Sequence, residues 1–535
     1  MKNISGIKKL GYLFLIPIIL SFSFECIFNK VTISVFYNLI ENLLFSILLI
    51  APLFFLTHHI INKCYFILAY LFFIICISFE TLYYYLFKTY FSSSAIFVIF
   101  DSNMEETKEF VDFYIDMPII VYTILIILSL FIALIKKNNL EAIRLFRTKS
   151  NKLNVLDLVI SVLLFLKLST LIIFNVPYLM IKSGIEYNIE SKKFGNYKEN
   201  KSGNFKNTYR SLSDDNELYI IIIGESTSRS HLGIYNYYRE TTPELKKMSK
   251  NLLVYKNVIS PHAYSVGALT KILTIGNYEN PEKVSAGSII QLANSVGFET
   301  YWLSNQRPIG PYESMITKIS LSAKNHKFLT TTIAGNSKVL DEELLGEFNE
   351  VISNNDVKKK LVFVHLMGTH HHYENRYPKA FNKFKDDPIT KFKSEENFTK
   401  INHYHNAVLY NDFIISELIK QVDSLHTKSF ALYFSDHGEE VFDDLNMAGH
   451  NEDIYSKKMF DIPFVLWQSQ KYKEEKELLF VEDRKYMTDD LFHGMADLLD
   501  ISANEVDFKR SIFNKDFKER KRIIKDTIDY DTFFK

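Results

Sequence analysis

Phe430-Ala431-Leu432-Tyr433-Phe434-Ser435-Asp436-His437-Gly438-Glu439 is the stretch on which the fold turns. Its apolar run is too short for a helix and reads as a buried strand that ends on a carboxylate and an imidazole. Far upstream, Ile220–Ile223 runs into Gly224-Glu225-Ser226 in the same way. Open α/β sheets bind ligands just beyond the carboxyl ends of their strands, so both stretches deliver polar side chains to one rim. Glu225, Asp436 and His437 would there offer two hard oxygen donors and a nitrogen. That set suits a divalent cation such as zinc, with a position left open for substrate. Either stretch alone reads better as a solvated turn; the pair, with the segments below, reverses that reading.

Around these two strands the last two-thirds of the chain alternates short apolar runs with amphipathic stretches. Strands are expected at Leu218–Ile223, Thr300–Leu303, Leu361–Leu366, Phe430–Phe434 and Pro463–Trp467, and helices at Ser288–Ser295, Asn406–Leu418 and Asp489–Leu499. Such alternation predicts a mainly parallel sheet covered on both faces. No glycine-rich phosphate loop ending in Gly-Lys-Ser/Thr is present, so a bound phosphate must be held by metal and side chains. Ser265 precedes an expected helix, Gly267–Leu273. A hydroxyl at a helix N-terminus beside a metal can be deprotonated and act as a nucleophile, although alone it reads as a cap. His365-Leu366-Met367-Gly368-Thr369-His370, Met447 to Glu452 with His450, and Trp302 to Gln306 with Asn305 also follow strands, so one rim could collect them.

The first third reads differently. Apolar segments at about Leu10–Phe28, Asn42–Ile61, Tyr65–Phe87, Met117–Ile135 and Leu158–Ile181 each approach the roughly 20 residues that a helix needs to cross hydrocarbon. Lys136–Lys152 is rich in Lys and Arg, whereas the stretch before the fourth segment holds Asp101, Glu105, Glu106, Glu109, Asp112 and Asp116. The positive-inside rule puts Lys136–Lys152 in the cytoplasm with Lys8 and Lys9, and five spans then place the remainder outside the cytoplasmic membrane. Glu25, Glu41, Glu80 and Lys167 lie within or at the edges of these spans, where ionisable groups pair or mark a pathway. The stretch Asp101-Ser102-Asn103-Met104-Glu105-Glu106 reads as a helix start that could lie on the bilayer surface. Asn103 and Glu106 are expected substrate contacts there.

The division expected is a transmembrane domain over 1–185, a polar linker over 186–212 and a catalytic domain over 213–535. Lys and Arg number 62 against 62 Asp and Glu, so no global field argues for nucleic acid. All three cysteines, Cys26, Cys64 and Cys76, lie in the apolar third, and the rest of the chain can form no internal disulfide.

These residues resemble the membrane-anchored phosphoethanolamine transferases of the sulfatase and alkaline phosphatase superfamily, over essentially the whole chain. The resemblance is carried by Ile223 to Thr227, Tyr238-Arg239-Glu240-Thr241-Thr242-Pro243-Glu244-Leu245, His365 to His370, Phe434 to Glu440, and Asn451-Glu452-Asp453 before Ile462 to Trp467. Trp302 to Gln306 and Asp483-Arg484-Lys485-Tyr486 look closest to the branch that modifies core heptose of lipopolysaccharide. The resemblance implies a five-helix anchor in the inner membrane and a periplasmic sulfatase-like domain. It also implies one zinc, with a second not excluded and manganese suiting the ligands as well. Glu225, Asp436 and His437 fall on the family's metal ligands. Ser265 stands where the family usually has a threonine nucleophile, contacting metal and substrate, with Thr270 as the alternative. His370 and His450 fall where the family binds the donor phosphate or a second zinc, and Asn305 and Gln306 are expected at the substrate. The implied reaction moves phosphoethanolamine from phosphatidylethanolamine to a lipopolysaccharide acceptor, core heptose or lipid A, through a covalent intermediate. The rival readings are a phosphoglycerol transferase using phosphatidylglycerol and a non-catalytic membrane scaffold or sensor. The Cys-x-Pro-x-Arg signature of sulfatases proper is not found.

Overall fold

A computed structural model describes residues 2–29, 31–87, 114–136, 149–193, 197–211, 215–306, 315–329 and 339–535. The described residues divide into two units, one up to residue 188 and one from 189 onward. Asn103 and Glu106 lie outside the described residues.

In the first unit, α1 (Lys2–Phe28), α2 (Ile33–Ile50), α3 (His59–Phe87) and α4 (Met117–Lys136) are followed by α5 (Lys149–Leu168) and α6 (Val176–Lys193). Aromatic rings lock the first helices together: Phe14 meets Tyr70 at 5.2 Å and Phe73 at 5.3 Å between centroids. Four spans among the described residues are long and apolar enough to cross a membrane: Leu10–Phe28, Ile33–Phe54, His59–Phe87 and Met117–Lys136. This corrects the expected fifth span. Leu158–Ile181 is interrupted at Thr170, whose φ of 61° is left-handed, and the helix restarts at Val176-Pro177. Proline fits the first turn of a new helix, not the interior of a continuous one. α5 also carries Lys149, Lys152, Asp157 and Lys167, which lower its hydropathy. Lys167 is exposed, and no ion pair joins it to Glu41 or Glu80 among the described residues.

The second unit is built on a seven-stranded sheet. In chain order its strands are β1 (Glu217–Gly224), β2 (Leu252–Val254), β3 (Glu299–Ser304), β4 (Asn325–Phe328), β5 (Lys359–His365), β6 (Lys428–Ser435) and β7 (Phe464–Gln468). Their spatial order is β2-β7-β6-β1-β5-β3-β4, and only β7 runs antiparallel to its neighbours. β1 and β6 are buried at every position, as expected for strands covered on both faces. Each fully buried isoleucine of Ile220–Ile223 contributes roughly 1.5–3 kcal/mol of transfer free energy, so the apolar run commits β1 to the centre. Helices cover the sheet, among them α7 (Ser265–Leu273), α8 (Ile289–Ser295), α9 (Glu343–Ser353), α10 (Glu395–Ser424) and α11 (Leu491–Leu498). α10 is far longer than the expected Asn406–Leu418. Its polar opening turns are fixed by Ser394, whose Oγ accepts from Asn397 N at 3.1 Å.

Register places the site. Gly224 pairs with Ser435 across β1 and β6, Ile223 with His365 across β1 and β5, and Ser304 with His365 across β3 and β5. The residues after four adjacent parallel strands therefore emerge on one rim.

Candidate metal centre and active site

Glu225 leaves the end of β1, and Asp436 and His437 leave the end of β6. One ligand atom from each lies within 4.8 Å of the others, and all three residues are buried. His437 Nε2 is 3.4 Å from Glu225 Oε1 and 3.5 Å from Asp436 Oδ2. Each ligand is oriented from behind. His437 Nδ1 donates to the Gly438 carbonyl at 2.8 Å, which leaves Nε2 as the inward lone pair. Asp436 Oδ1 accepts from His437 N at 2.7 Å and Ser226 N at 3.1 Å. Ser226 has a left-handed φ of 55°, a strained turn that aims its N–H at this carboxylate. The Glu225 carbonyl accepts from Thr369 Oγ1 at 2.9 Å and Thr369 N at 3.1 Å.

The donor set fits a divalent cation. Asp436 Oδ2 is buried with no hydrogen-bond partner, an acceptor that calls for a positive charge. The protonation pattern points the same way. Burial and the neighbouring Glu225 carboxylate push Asp436 up to about 8. Burial opposes a charged His437 ring, yet Asp436 and Glu225 raise it to about 10. Burial likewise opposes charge on Glu225, and His437 overcomes it, holding that carboxyl well below its ordinary range. Without metal the imidazolium thus stands where a cation would sit.

Ser265 opens α7 beside this cluster. Its Oγ donates to Glu225 Oε2 at 3.1 Å and lies 3.4 Å from His437 Nε2. Thr270 lies farther along the same helix, and its Oγ1 is buried without a partner. Gln306, after β3, donates from Nε2 to Glu225 Oε2 at 3.1 Å and to the Leu366 carbonyl at 2.9 Å. Asn305 turns away from the ligands: its Nδ2 donates to Asp341 Oδ1 at 2.8 Å and to the Val339 carbonyl at 3.1 Å. Asp341 in turn takes the N–H groups of Met367 and Gly368, both at 2.9 Å, so Asn305 helps to hold the β5 exit loop.

The His450 ring lies 4.1 Å from that of His437, centroid to centroid. His437, Glu439 and His450 form a second group with metal-binding spacing. His450 Nδ1 sits 2.7 Å from Glu439 Oε2, and Glu439 Oε1 accepts from the Tyr373 hydroxyl at 2.6 Å. His370 is half-buried with its Nδ1 enclosed and unpartnered, and desolvation, with Arg376 and the other histidines also opposing charge, depresses it to about 3. Sequence reasoning missed Glu439 and Tyr373 behind His450. It also missed Glu452, whose carboxylate accepts from Ala263 N at 2.8 Å and sits 2.8 Å from His262 Nδ1. Glu452 thereby anchors the turn that leads to Ser265. A partner reached across nearly 190 residues leaves no local signal; only the run of carboxylates near these histidines hinted at it.

A mainly parallel sheet with a carboxylate–histidine cluster and a hydroxyl at its carboxyl rim defines the alkaline-phosphatase-like class of α/β proteins. The chain belongs to the sulfatase family, whose profile, described as Sulfatase, matches residues 217–501, more than half of its 535 residues. It is 36% identical over 329 residues to the phosphoethanolamine transferase EptC of Escherichia coli, a match covering 58% of this chain and 57% of that protein. The chain thus spans little more than half the length of this curated relative. The solved C-terminal periplasmic domain of Escherichia coli EptC in complex with Zn is 34% identical, with a TM-score of 0.59, covering 61% of this chain and 96% of that one. The integral membrane lipooligosaccharide phosphoethanolamine transferase EptA of Neisseria meningitidis shares the fold at 18% identity, with a TM-score of 0.68 over 94% of this chain and 97% of that one.

Proposed function

We propose that this protein transfers phosphoethanolamine from phosphatidylethanolamine to a lipopolysaccharide acceptor, with its catalytic unit on the periplasmic face of the inner membrane. The observation that carries the reading is Ser265 Oγ, hydrogen-bonded to Glu225 and adjacent to His437 at a helix N-terminus. The relatives named phosphoethanolamine transferases and the zinc-bound EptC domain, described as periplasmic, support it. Four apolar helices fit a membrane anchor that keeps enzyme and lipid in one layer; an even number of spans no longer supports the periplasmic side, which rests on the likeness to the periplasmic EptC domain.

Glu225, Asp436 and His437 would hold zinc, and Ser265 Oγ is near enough to join them. Zinc bound there polarises a phosphoryl oxygen and lowers the pKa of an adjacent hydroxyl. Ser265 Oγ forms a bond to phosphorus, the bond from phosphorus to the glycerol oxygen breaks, and diacylglycerol leaves with a proton. An acceptor hydroxyl or phosphate oxygen then attacks the same phosphorus, and Ser265 regains its proton. His450 is the better placed proton carrier, because Glu439 anchors Nδ1 and leaves Nε2 to give and take a proton. His370, held neutral by burial, is suited to hydrogen-bond a phosphoryl oxygen. Gln306 steadies the Glu225 oxygen that Ser265 contacts.

The test uses the full-length protein with phosphatidylethanolamine and intact-protein mass spectrometry. Wild type should carry an ethanolamine phosphate on Ser265, Ser265→Ala should carry none, and Thr270→Ala should retain it. An adduct in Ser265→Ala that disappears in Thr270→Ala would move the nucleophile to Thr270. A glycerol phosphate adduct formed from phosphatidylglycerol would overturn the donor. Lipopolysaccharide mass spectra from cells with and without the protein identify the acceptor.

A further inference from the structure

Two arms of the catalytic unit meet over the turn that leads to Ser265. One is the loop after His450, in which Glu452 holds His262 and Ala263. The other is a later hairpin, Ile523–Ile524 against Ile528–Asp529, continued by the short helix Tyr530–Phe533. Its tip is tied to the same turn. Lys525 N donates to the Pro261 carbonyl at 2.9 Å, and Asp526 pairs with Lys271 on α7 and lies 3.9 Å from His262 Nε2. Lys525 and Asp526 have left-handed φ values of 53° and 59°. Such turns ordinarily take asparagine and glycine, so a lysine is held there at a conformational cost.

Where the arms meet, two aromatic rings face solvent. Tyr455 and Phe533 are 47% and 50% exposed, and their ring centroids lie 4.9 Å apart. Both are fixed by neighbours. Phe533 stands edge-on to Phe534, also at 4.9 Å, and Phe534 packs on Tyr530 and Phe460. Lys525 Nζ lies 4.4 Å from the centroid of the Tyr455 ring. Adjoining exposed rings held beside a reaction centre make a contact surface.

Charge identifies the occupant. The acids of the hairpin arm are engaged: Asp526 with Lys271, Asp531 with Arg522 and Lys485, and Asp529 on Thr532 N. Lys525 and Lys457 make no ion pair among the described residues, and their ammonium groups lie over the rings of Tyr455 and Tyr530. The surface therefore joins aromatic rings to uncommitted positive charge. That combination repels the ammonium end of the donor head group and suits an anionic partner that approaches after the donor. Ring faces take the C–H face of a sugar, and free ammonium groups take its phosphates. Pro261 is four residues from Ser265, at most about 14 Å of chain, which a saccharide of a few rings can span.

We propose that Tyr455, Phe533 and Lys525 form the acceptor subsite, and that the acceptor is a phosphorylated saccharide. The inference rests on the transfer reading and narrows its acceptor; the phosphates of the lipopolysaccharide core and of lipid A share this chemistry.

The test separates the two half-reactions in full-length protein. Ser265 is loaded from phosphatidylethanolamine and then chased with deacylated lipopolysaccharide core, with the same core dephosphorylated, or with the phosphorylated glucosamine disaccharide of lipid A. The double variant Tyr455→Ala, Phe533→Ala should load at the wild-type rate, with KM for the phosphorylated saccharide raised about tenfold and kcat kept. Lys525→Gln, a side chain that bears the left-handed conformation as lysine does, should raise that KM about fivefold and leave the dephosphorylated core unaffected. It also keeps the proposal testable should the double variant fail to fold. The saccharide that shows these shifts names the source. Unchanged KM in the variants, or loss of loading together with transfer, would overturn the proposal. A shift confined to acylated lipopolysaccharide would overturn it as well, because the rings would then be touching a lipid surface. If wild type takes no adduct, the transfer reading falls, and calorimetric titration of the same saccharides into wild type and variants decides the subsite by itself.

Discussion

Replacing Gly368 by alanine should disable metal binding without touching a ligand. Gly368 has a φ of 55°, and a Cβ there would lie 2.8 Å from Glu225 N and 2.9 Å from Glu225 O. Both neighbours are backbone, so no side chain can swing aside. The left-handed conformation costs an alanine about 1–2 kcal/mol, and overpacking adds about 1–3 kcal/mol. Glu225 must also retreat by several tenths of an ångström. Metal–ligand distances tolerate about 0.2 Å, so zinc affinity should fall by at least about tenfold. Affinity is measured by competition with a chromogenic chelator, metal content by elemental analysis and stability by thermal melting. Gly297→Ala is the control, because its φ of 93° is at least as unfavourable for alanine but nothing lies within 4 Å of the added Cβ. It should lose stability and keep wild-type zinc affinity. A Gly368→Ala protein with wild-type affinity and activity would refute the idea that this approach sets the position of Glu225.

Three further outcomes are expected. In metal-free protein burial and Glu225 push Asp436 up, and Asp436 and Glu225 raise His437, so the cluster holds protons at pH 7 that zinc must displace, and loading should release at least one; calorimetry in buffers of different ionisation enthalpy counts them, and release of none would contradict the ligand assignment. Burial depresses His493 to about 4 from 6.5, a group neutral when folded and protonated when unfolded; stability is therefore retained above pH 6.5 and lost as pH falls towards 4, by up to about 3 kcal/mol. His493→Gln should flatten that limb of a denaturant-melt series, and an unchanged limb would assign it to other groups. Glu452→Gln removes the charge that anchors His262 and Ala263, so kcat should fall at least about tenfold while zinc content stays at wild-type level; loss of zinc as well would make Glu452 a general structural support and not a positioning residue for Ser265.

The sheet was legible because its central strands are fully buried. Ile220–Ile223 and Phe430–Phe434 allow no other economical placement, and two such runs ending in Glu225 and in Asp436-His437 fix parallel neighbours with a common rim. The edge strand β4 escaped notice for the opposite reason: Asn325–Phe328 is largely exposed and polar, so its pairing with β3 is set by the neighbour and not by its own pattern. The fifth span failed on a backbone feature. Hydropathy sums over Leu158–Ile181 and cannot register that Thr170 turns left-handed before Pro177 begins another helix. Around the site, the atoms that meet the cation belong to chemically scarce residue types at strand ends, and those were readable. The groups that aim them, Thr369 on the Glu225 carbonyl, Asp341 on the 367–368 peptides and Glu452 on the turn before Ser265, are common polar residues brought in by long-range packing. Motif residues thus announce what a rim of this kind can bind. How tightly and at what angle depends on glycines and carboxylates whose purpose appears only when the neighbouring backbone is in place, as Gly368 against Glu225 demonstrates.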